Sequence, residues 1–212
     1  GAVDVVQPTL YRQRPDAMGK RVRKIRAAMP RGDIIPWMDP GTISEYPSVW
    51  IYDRVLEVFG SGSRGIAWFA YANFEGSDFY ALVRALDAVI PVEEVIVGSA
   101  PMAAIKVEAG GVGATGLSNG AHHVLLVSDY ETPTRQRQVR LVLPPGVDGT
   151  IWDLAKKVEV GRVSEGVATL IWRPGVKRAR TALYYVGPSR FEDGRVAIES
   201  DANSATEAQS PH

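Results

Sequence analysis

The chain has 212 residues, 45% of them hydrophobic and 23% charged, the proportions of a globular protein with a real core. Lys plus Arg and Asp plus Glu number 24 each, so the net charge is zero and neither nucleic acid nor an acidic membrane surface meets a basic field. The absence of cysteine excludes disulfides, thiol catalysis and cysteine-ligated metal centres, and no apolar run reaches the roughly 18 residues of a membrane-spanning helix.

Gly1 to Val6 shows no basic segment followed by an apolar stretch, so no signal peptide is expected and the compartment stays open. Met18, Val22, Ile25 and Met29 recur at steps of four, three and four, one face of a helix over Pro15 to Met29. Pro15 and Asp16 suit its first turn, and Lys20, Arg21, Arg23, Lys24 and Arg26 form a solvated basic surface. Pro30-Arg31-Gly32 ends it, and Asp33 to Met38 follows as a short apolar strand. The pattern repeats. Ser48 is placed to cap a helix with Tyr52, Val55, Leu56 and Phe59 on its apolar face. Gly60-Ser61-Gly62 breaks it, and Gly65 to Tyr71 reads as a buried strand. Ser77 is placed to cap a third helix, with Phe79, Leu82, Val83, Leu86 and Val89 on one side, ending at Pro91. Alternation of this kind builds parallel sheets.

Beyond residue 100 the character changes to short strands separated by Gly, Pro and Asn-Gly turns. Seven are expected: Ile105–Ala109, His122–Asp129, Gln138–Leu143, Thr150–Asp153, Glu159–Val163, Ala168–Trp172 and Thr181–Val186, a spacing that suggests a sandwich. Residues 199–212 are small and polar and read as a tail. Gly111 to Gly116 matches G-x-G-x-x-G, but a strand and not a helix is expected after it, so no dinucleotide cofactor is expected. His122 and His123 are adjacent in a strand and face opposite ways, so no metal site is expected either.

Two parallel strands with three helices cannot cover themselves, because parallel sheets are buried on both faces. Either another polypeptide supplies more strands, or the sequence is a fragment, or the first half closes in some smaller way.

Ile34 to Gly41, Glu45-Tyr46-Pro47 and Gly65 to Phe69 resemble the last two strands of (β/α)8 glycoside hydrolases, and Val92 to Ile96 resembles the exit from such barrels. Val124 to Glu131 and Thr150 to Leu154 resemble the β-sandwich that often trails them. The resemblance spans roughly residues 11–187, and it rests on the order of motifs that are each only moderately specific. It implies an α/β plus all-β chain: the last two β/α units of a TIM-type barrel in residues 1–100, a small antiparallel β-sandwich in 101–198 and a tail in 199–212. It implies part of a glycoside hydrolase, inactive alone, that binds carbohydrate and needs a polypeptide supplying the remaining strands.

Such barrels work at the carboxyl ends of their strands. The resemblance therefore points to Trp37, Trp68, Tyr71, Asn73 and Glu75 as sugar-binding residues, with Trp68 the expected stacking platform, and to Asp39 or Glu45 as catalytic carboxylates. In the retaining clan with a carboxylate on strand seven that residue is Glu, whereas Met38-Asp39-Pro40 stands here, so three alternatives stay open: Asp39 serves, Glu45 serves, or the pair lies wholly on the absent strands. The rival reading is a non-catalytic carbohydrate-binding or structural assembly module. As a binding module it would present Trp152, Trp172, Tyr184 and Tyr185 in an exposed row, although adjacent Tyr184 and Tyr185 cannot both face out.

Overall fold

A computed structural model describes residues 4–41, 45–69, 71–131, 136–172, 179–188, 191–192 and 195–196. The side chains of Tyr71, Phe191 and Glu192 are outside the description.

The first half alternates strands and helices in the order β1 (Val5–Val6), α1 (Pro15–Ala28), β2 (Asp33–Ile34), β3 (Trp37–Met38), α2 (Val49–Gly60), β4 (Ala67–Trp68), α3 (Gly76–Val89) and α4 (Glu93–Val97). All strand pairs in this half are parallel. Val5 and Val6 pair with Asp33 and Ile34, Thr9 bridges Trp37, and Trp37 and Met38 pair with Ala67 and Trp68. The described residues thus carry three parallel segments where two were expected from sequence. The extra one, Val5 to Leu10, is hard to see locally because Gln7 and Pro8 interrupt its apolar run.

Helix ends also differ in detail from expectation. Ser48 precedes α2 but makes no capping hydrogen bond, and its hydroxyl instead pairs with that of Ser77 at 2.7 Å. Glu75, not Ser77, occupies the N-cap of α3, and its backbone N–H donates to Asp78 at 3.0 Å. No helix among the described residues is long and apolar enough to cross a membrane.

After α4 the described residues hold strands and turns only: β5 (Ala100–Pro101), β6 (Lys106–Val107), β7 (Val112–Asn119), β8 (His122–Asp129), β9 (Arg137–Val142), β10 (Gly149–Asp153), β11 (Val158–Val163), β12 (Val167–Trp172), β13 (Thr181–Gly187), β14 (Phe191–Glu192) and β15 (Arg195–Val196). Six form an antiparallel sheet in the order β11-β10-β13-β8-β7-β5, and three form a second, β12-β9-β6. The seven expected strands all appear, with ends shifted by up to two residues. The additions among the described residues are β5, β7, β14 and β15, and the longest of them, β7, is disguised by its glycines. Gly116 sits where a Cβ would run into Met102 and Leu125, so a side chain there conflicts with the packing.

One apolar cluster fills the space between the two sheets, joining Leu125, Val139, Leu141, Leu170, Trp172 and Val186. A second lies on the other side of the larger sheet, where Val55, Leu56, Ala85, Val92 and Ile96 of the helices meet Leu117, Leu126, Leu183 and Tyr185. The helical half and the β half therefore share a core. Asp53 of α2 reinforces the junction: buried to 1% exposure, its Oδ1 accepts from the backbone N–H groups of Arg180 and Thr181 and from the Thr181 hydroxyl. A smaller third cluster, Leu10, Met18, Val22, Ile34, Met38 and Val58, packs α1 and α2 onto one face of the parallel strands.

Candidate functional site

The parallel register decides which side chains meet at the strand ends. Leu10 N–H donates to Trp37 O at 2.8 Å, and Phe69 N–H donates to Met38 O at 2.8 Å, so the three strands finish level with one another. Paired residues in neighbouring strands point the same way. Leu10, Ile34, Met38 and Trp68 pack on the helix-facing side. Thr9, Tyr11, Ile35, Trp37, Asp39, Ala67 and Phe69 alternate with them and line the opposite face.

This face is incompletely covered. Phe69 is 55% exposed, and the Tyr11 and Phe69 rings stack with centroids 5.4 Å apart. They come from the two outer strands and flank the central strand that carries Trp37 and Asp39. Neither Tyr11 nor Phe69 was singled out from sequence. The available signal was alternation: once Trp37 is placed on one face, the register puts Phe69 rather than Trp68 beside it.

Trp37 is half-buried, and its indole N–H donates to Gln7 at 3.4 Å. Asp39 accepts the Arg12 backbone N–H at 3.1 Å, holding a residue whose φ is +53°. Trp68 lies on the other face, edge-on to Phe74 at 4.9 Å. Asn73 donates to Gly41 O at 3.0 Å and so ties the loop after β4 to the loop after β3. Tyr71 opens a 3-10 turn, Tyr71–Asn73, and its side chain is outside the described residues. Glu75 begins α3, one turn further from the strands.

A buried arginine absent from the sequence-based candidates organises the rim. Arg54 donates to Asp39 O at 3.0 Å and to Gln13 O at 2.9 Å, and its guanidinium lies 4.7 Å from the centre of the Tyr46 ring. Tyr46 stacks on Trp50 at 5.2 Å. Exposed Glu45 hydrogen-bonds the Tyr46 phenol, whose pKa is raised by burial first and by that carboxylate second. The rim thus combines a stacked aromatic pair, two carboxylates and an amide, with the loops fixed by one guanidinium. Such a surface suits the apolar faces and polar edges of sugar rings.

The aromatics of the β half are arranged differently. Trp172, Tyr184 and Tyr185 are 2%, 4% and 0% exposed and Trp152 is half-buried, so they form no exposed row. Gly111 to Gly116 runs into β7 rather than a helix. His122 receives or donates a hydrogen bond at 2.7 Å with the Tyr185 hydroxyl, while His123 is buried.

No protein-family model matches the chain, and no curated protein matches it. Among solved structures the chain is similar to a GH30 endoxylanase from Clostridium papyrosolvens C71, with TM-score 0.53, 12% identity and coverage of 88% of this chain and 49% of that one. It is similar to an Anoxybacillus α-amylase, with TM-score 0.53, 10% identity and coverage of 82% and 42%. It is also similar to α-galactosidase I from Mortierella vinacea, with TM-score 0.50, 11% identity and coverage of 89% and 52%. The chain spans about half the length of these structures. The likeness shows a mixed α/β, glycoside-hydrolase-like fold.

Proposed function

We propose that the chain is part of a glycoside hydrolase and contributes one arc of its sugar cleft together with a trailing β-sandwich. The observation that carries this reading is the level ending of three parallel strands with Tyr11, Phe69, Trp37 and Asp39 on one under-covered face. On this reading residues 1–100 form the C-terminal part of a (β/α)8 barrel, 101–198 the sandwich and 199–212 a tail. The unit count in the first part is three rather than two.

Phe69 and Tyr11 stack on a sugar ring, and Trp37 lines the floor. Asp39, and Glu45 as the other carboxylate on this arc, supply the acid–base or nucleophilic function that glycoside cleavage requires. Tyr71 and Asn73 bind sugar hydroxyls at the rim. Trp68 and Glu75 support them from behind, through Phe74 and the start of α3.

A second polypeptide segment supplies the remaining strands. Two observations support this. Among the described residues β1 and β4 each have one strand neighbour, so both outer edges are open. Phe79 and Val83 on α3 and Ile90 at its C-cap are 51%, 62% and 46% exposed at spacings of four and seven, an apolar stripe suited to a neighbouring helix.

The test is to isolate the native material carrying this sequence, determine its intact and native mass, and assay it on nitrophenyl glycosides. The expected result is a longer or associated polypeptide with glycosidase activity, which Asp39→Asn lowers by about a hundredfold or more. A native mass equal to that of the chain alone, without saccharide binding or hydrolysis, would remove the proposal.

A further inference from the structure

Away from the strand-end rim, a shallow cleft of about 100 Å³, open to solvent, lies where α2 and α3 begin and where β10 leaves the side of β13. β10 runs beside β13 only as far as Asp153, opposite Tyr184. The chain then turns away through Leu154, whose N–H donates to Leu183 O at 3.1 Å. Thr181 and Ala182 therefore lack a β10 neighbour, and the notch forms there.

Its lining is unusual for a structural seam. Tyr80 of α3 is 55% exposed, and Arg84, one turn along, lies 5.9 Å from the centre of its ring. Tyr52 and Tyr184 also line the cleft, Tyr184 at 4% exposure. Among the described residues no hydrogen-bond partner is found for either of these two phenols. Asp153 accepts from Lys156 through both its backbone N–H and its ammonium group. The paired hydroxyls of Ser48 and Ser77 sit at the edge.

These features select a class of ligand. Lys156 is neutralised by Asp153, so among the described residues the lining carries one cation without an ion-pair partner, Arg84, which is too little charge to hold a phosphate out of water. The apolar lining is made of three tyrosines, Val49 and small alanines, and the polar lining is phenol, hydroxyl, Arg84 and one ion pair. A neutral ring with an apolar face and a polar edge matches this lining.

We propose that this cleft is a saccharide-binding site separate from the strand-end rim, in which Tyr80 stacks on a sugar ring while Tyr52, Tyr184, Arg84 and the Asp153–Lys156 pair bind its hydroxyls. The choice of a saccharide over other neutral ligands rests on the glycoside-hydrolase reading, but the site uses none of the rim residues. It gives the chain a hold on a glycan that does not depend on the rest of the barrel.

The experiment is calorimetric titration of the full chain with maltohexaose and with xylohexaose. Tyr80→Ala, Tyr184→Phe and, at the rim, Phe69→Ala are compared with the unaltered chain, and circular dichroism checks that each is folded. At least one hexasaccharide is expected to bind. Tyr80→Ala should weaken it about tenfold or more and Tyr184→Phe several-fold, in the Phe69→Ala background as well as in the otherwise unaltered chain. Inorganic phosphate should not compete. The cleft proposal is overturned if neither saccharide binds, if phosphate displaces the saccharide, or if Tyr80→Ala and Tyr184→Phe leave affinity unchanged. Loss of binding in Phe69→Ala alone would overturn it while leaving the rim reading intact.

Discussion

Asp53 and Glu57 stand one helical turn apart on α2, both essentially without solvent contact. Glu57 accepts from the Tyr130 hydroxyl at 3.1 Å and faces Arg23 at 3.6 Å. Burial pushes both carboxyl pKa values up to about 7, from 3.8 and 4.5, against the opposing pull of their hydrogen bonds and nearby cations. A raised folded-state pKa means that folding takes up protons. The contribution of these groups is fully present below about pH 4 and is lost as pH rises through about 7. His122 and His123, whose pKa values burial lowers, act in the opposite sense below their ordinary value of 6.5. The clean measurement is therefore a difference. Glu57→Gln should gain stability relative to the unaltered chain as pH rises from 5 to 8, read from urea midpoints. A constant difference across that range would refute the assignment. Arg54 tests the rim: Arg54→Ala leaves two strand-end carbonyls without their donor and opens a cavity beneath Tyr46. A loss of roughly 3 kcal/mol is expected in chemical denaturation.

At the level of elements, the β half depends on close backbone approaches. Gly149 has φ +112°, and a Cβ there would come within 2.6 Å of Gly187 O, in the stretch where β10 meets β13. Gly149→Ala should cost more than about 2 kcal/mol and lower the melting temperature by several degrees. Helix α3 makes the opposite case. One side of it, through Ala81, Ala85 and Ala88, is fully packed, while Val83 on the other side is 62% exposed. Val83→Asp should therefore change the unfolding free energy of the chain by no more than about 0.5 kcal/mol. If the stripe docks a neighbouring helix, the same substitution weakens association with the complementary polypeptide, measured by native mass. An unchanged association would show that the stripe faces water.

At the scale of the whole molecule, four layers stack in sequence: the parallel strands, the helices, the six-stranded sheet and the three-stranded sheet. The shared cluster from Val55 to Tyr185 makes the β half a support for the helices rather than an appendage. Deleting the β half should consequently unfold residues 4–97 as well, visible as loss of helical circular dichroism. A first half that stays helical alone would contradict this. The parallel strands have no comparable support on the face carrying Trp37 and Phe69. By the proposed function the isolated chain hydrolyses no nitrophenyl glycoside, since the other strands of the cleft are elsewhere.

The sequence alone determined the alternation of helix and strand before about residue 100, the switch to short strands after it, and the aromatic and acidic character of the segments around Trp37 and Trp68. These are local properties, readable from periodicity and turn chemistry. Only the tertiary structure decided which aromatic shares a face with Asp39. A one-residue difference in register moves a side chain through the sheet, and the pairing of Trp37 with Ala67 and Met38 with Trp68, held by hydrogen bonds from Ala67 N–H to Pro36 O and from Phe69 N–H to Met38 O, puts Phe69 there. The structure also decided that Arg54 holds the strand ends, because its partners, the carbonyls of Gln13 and Asp39, lie 41 and 15 residues away. Contacts at that separation arise from packing, and no pattern along the chain encodes them.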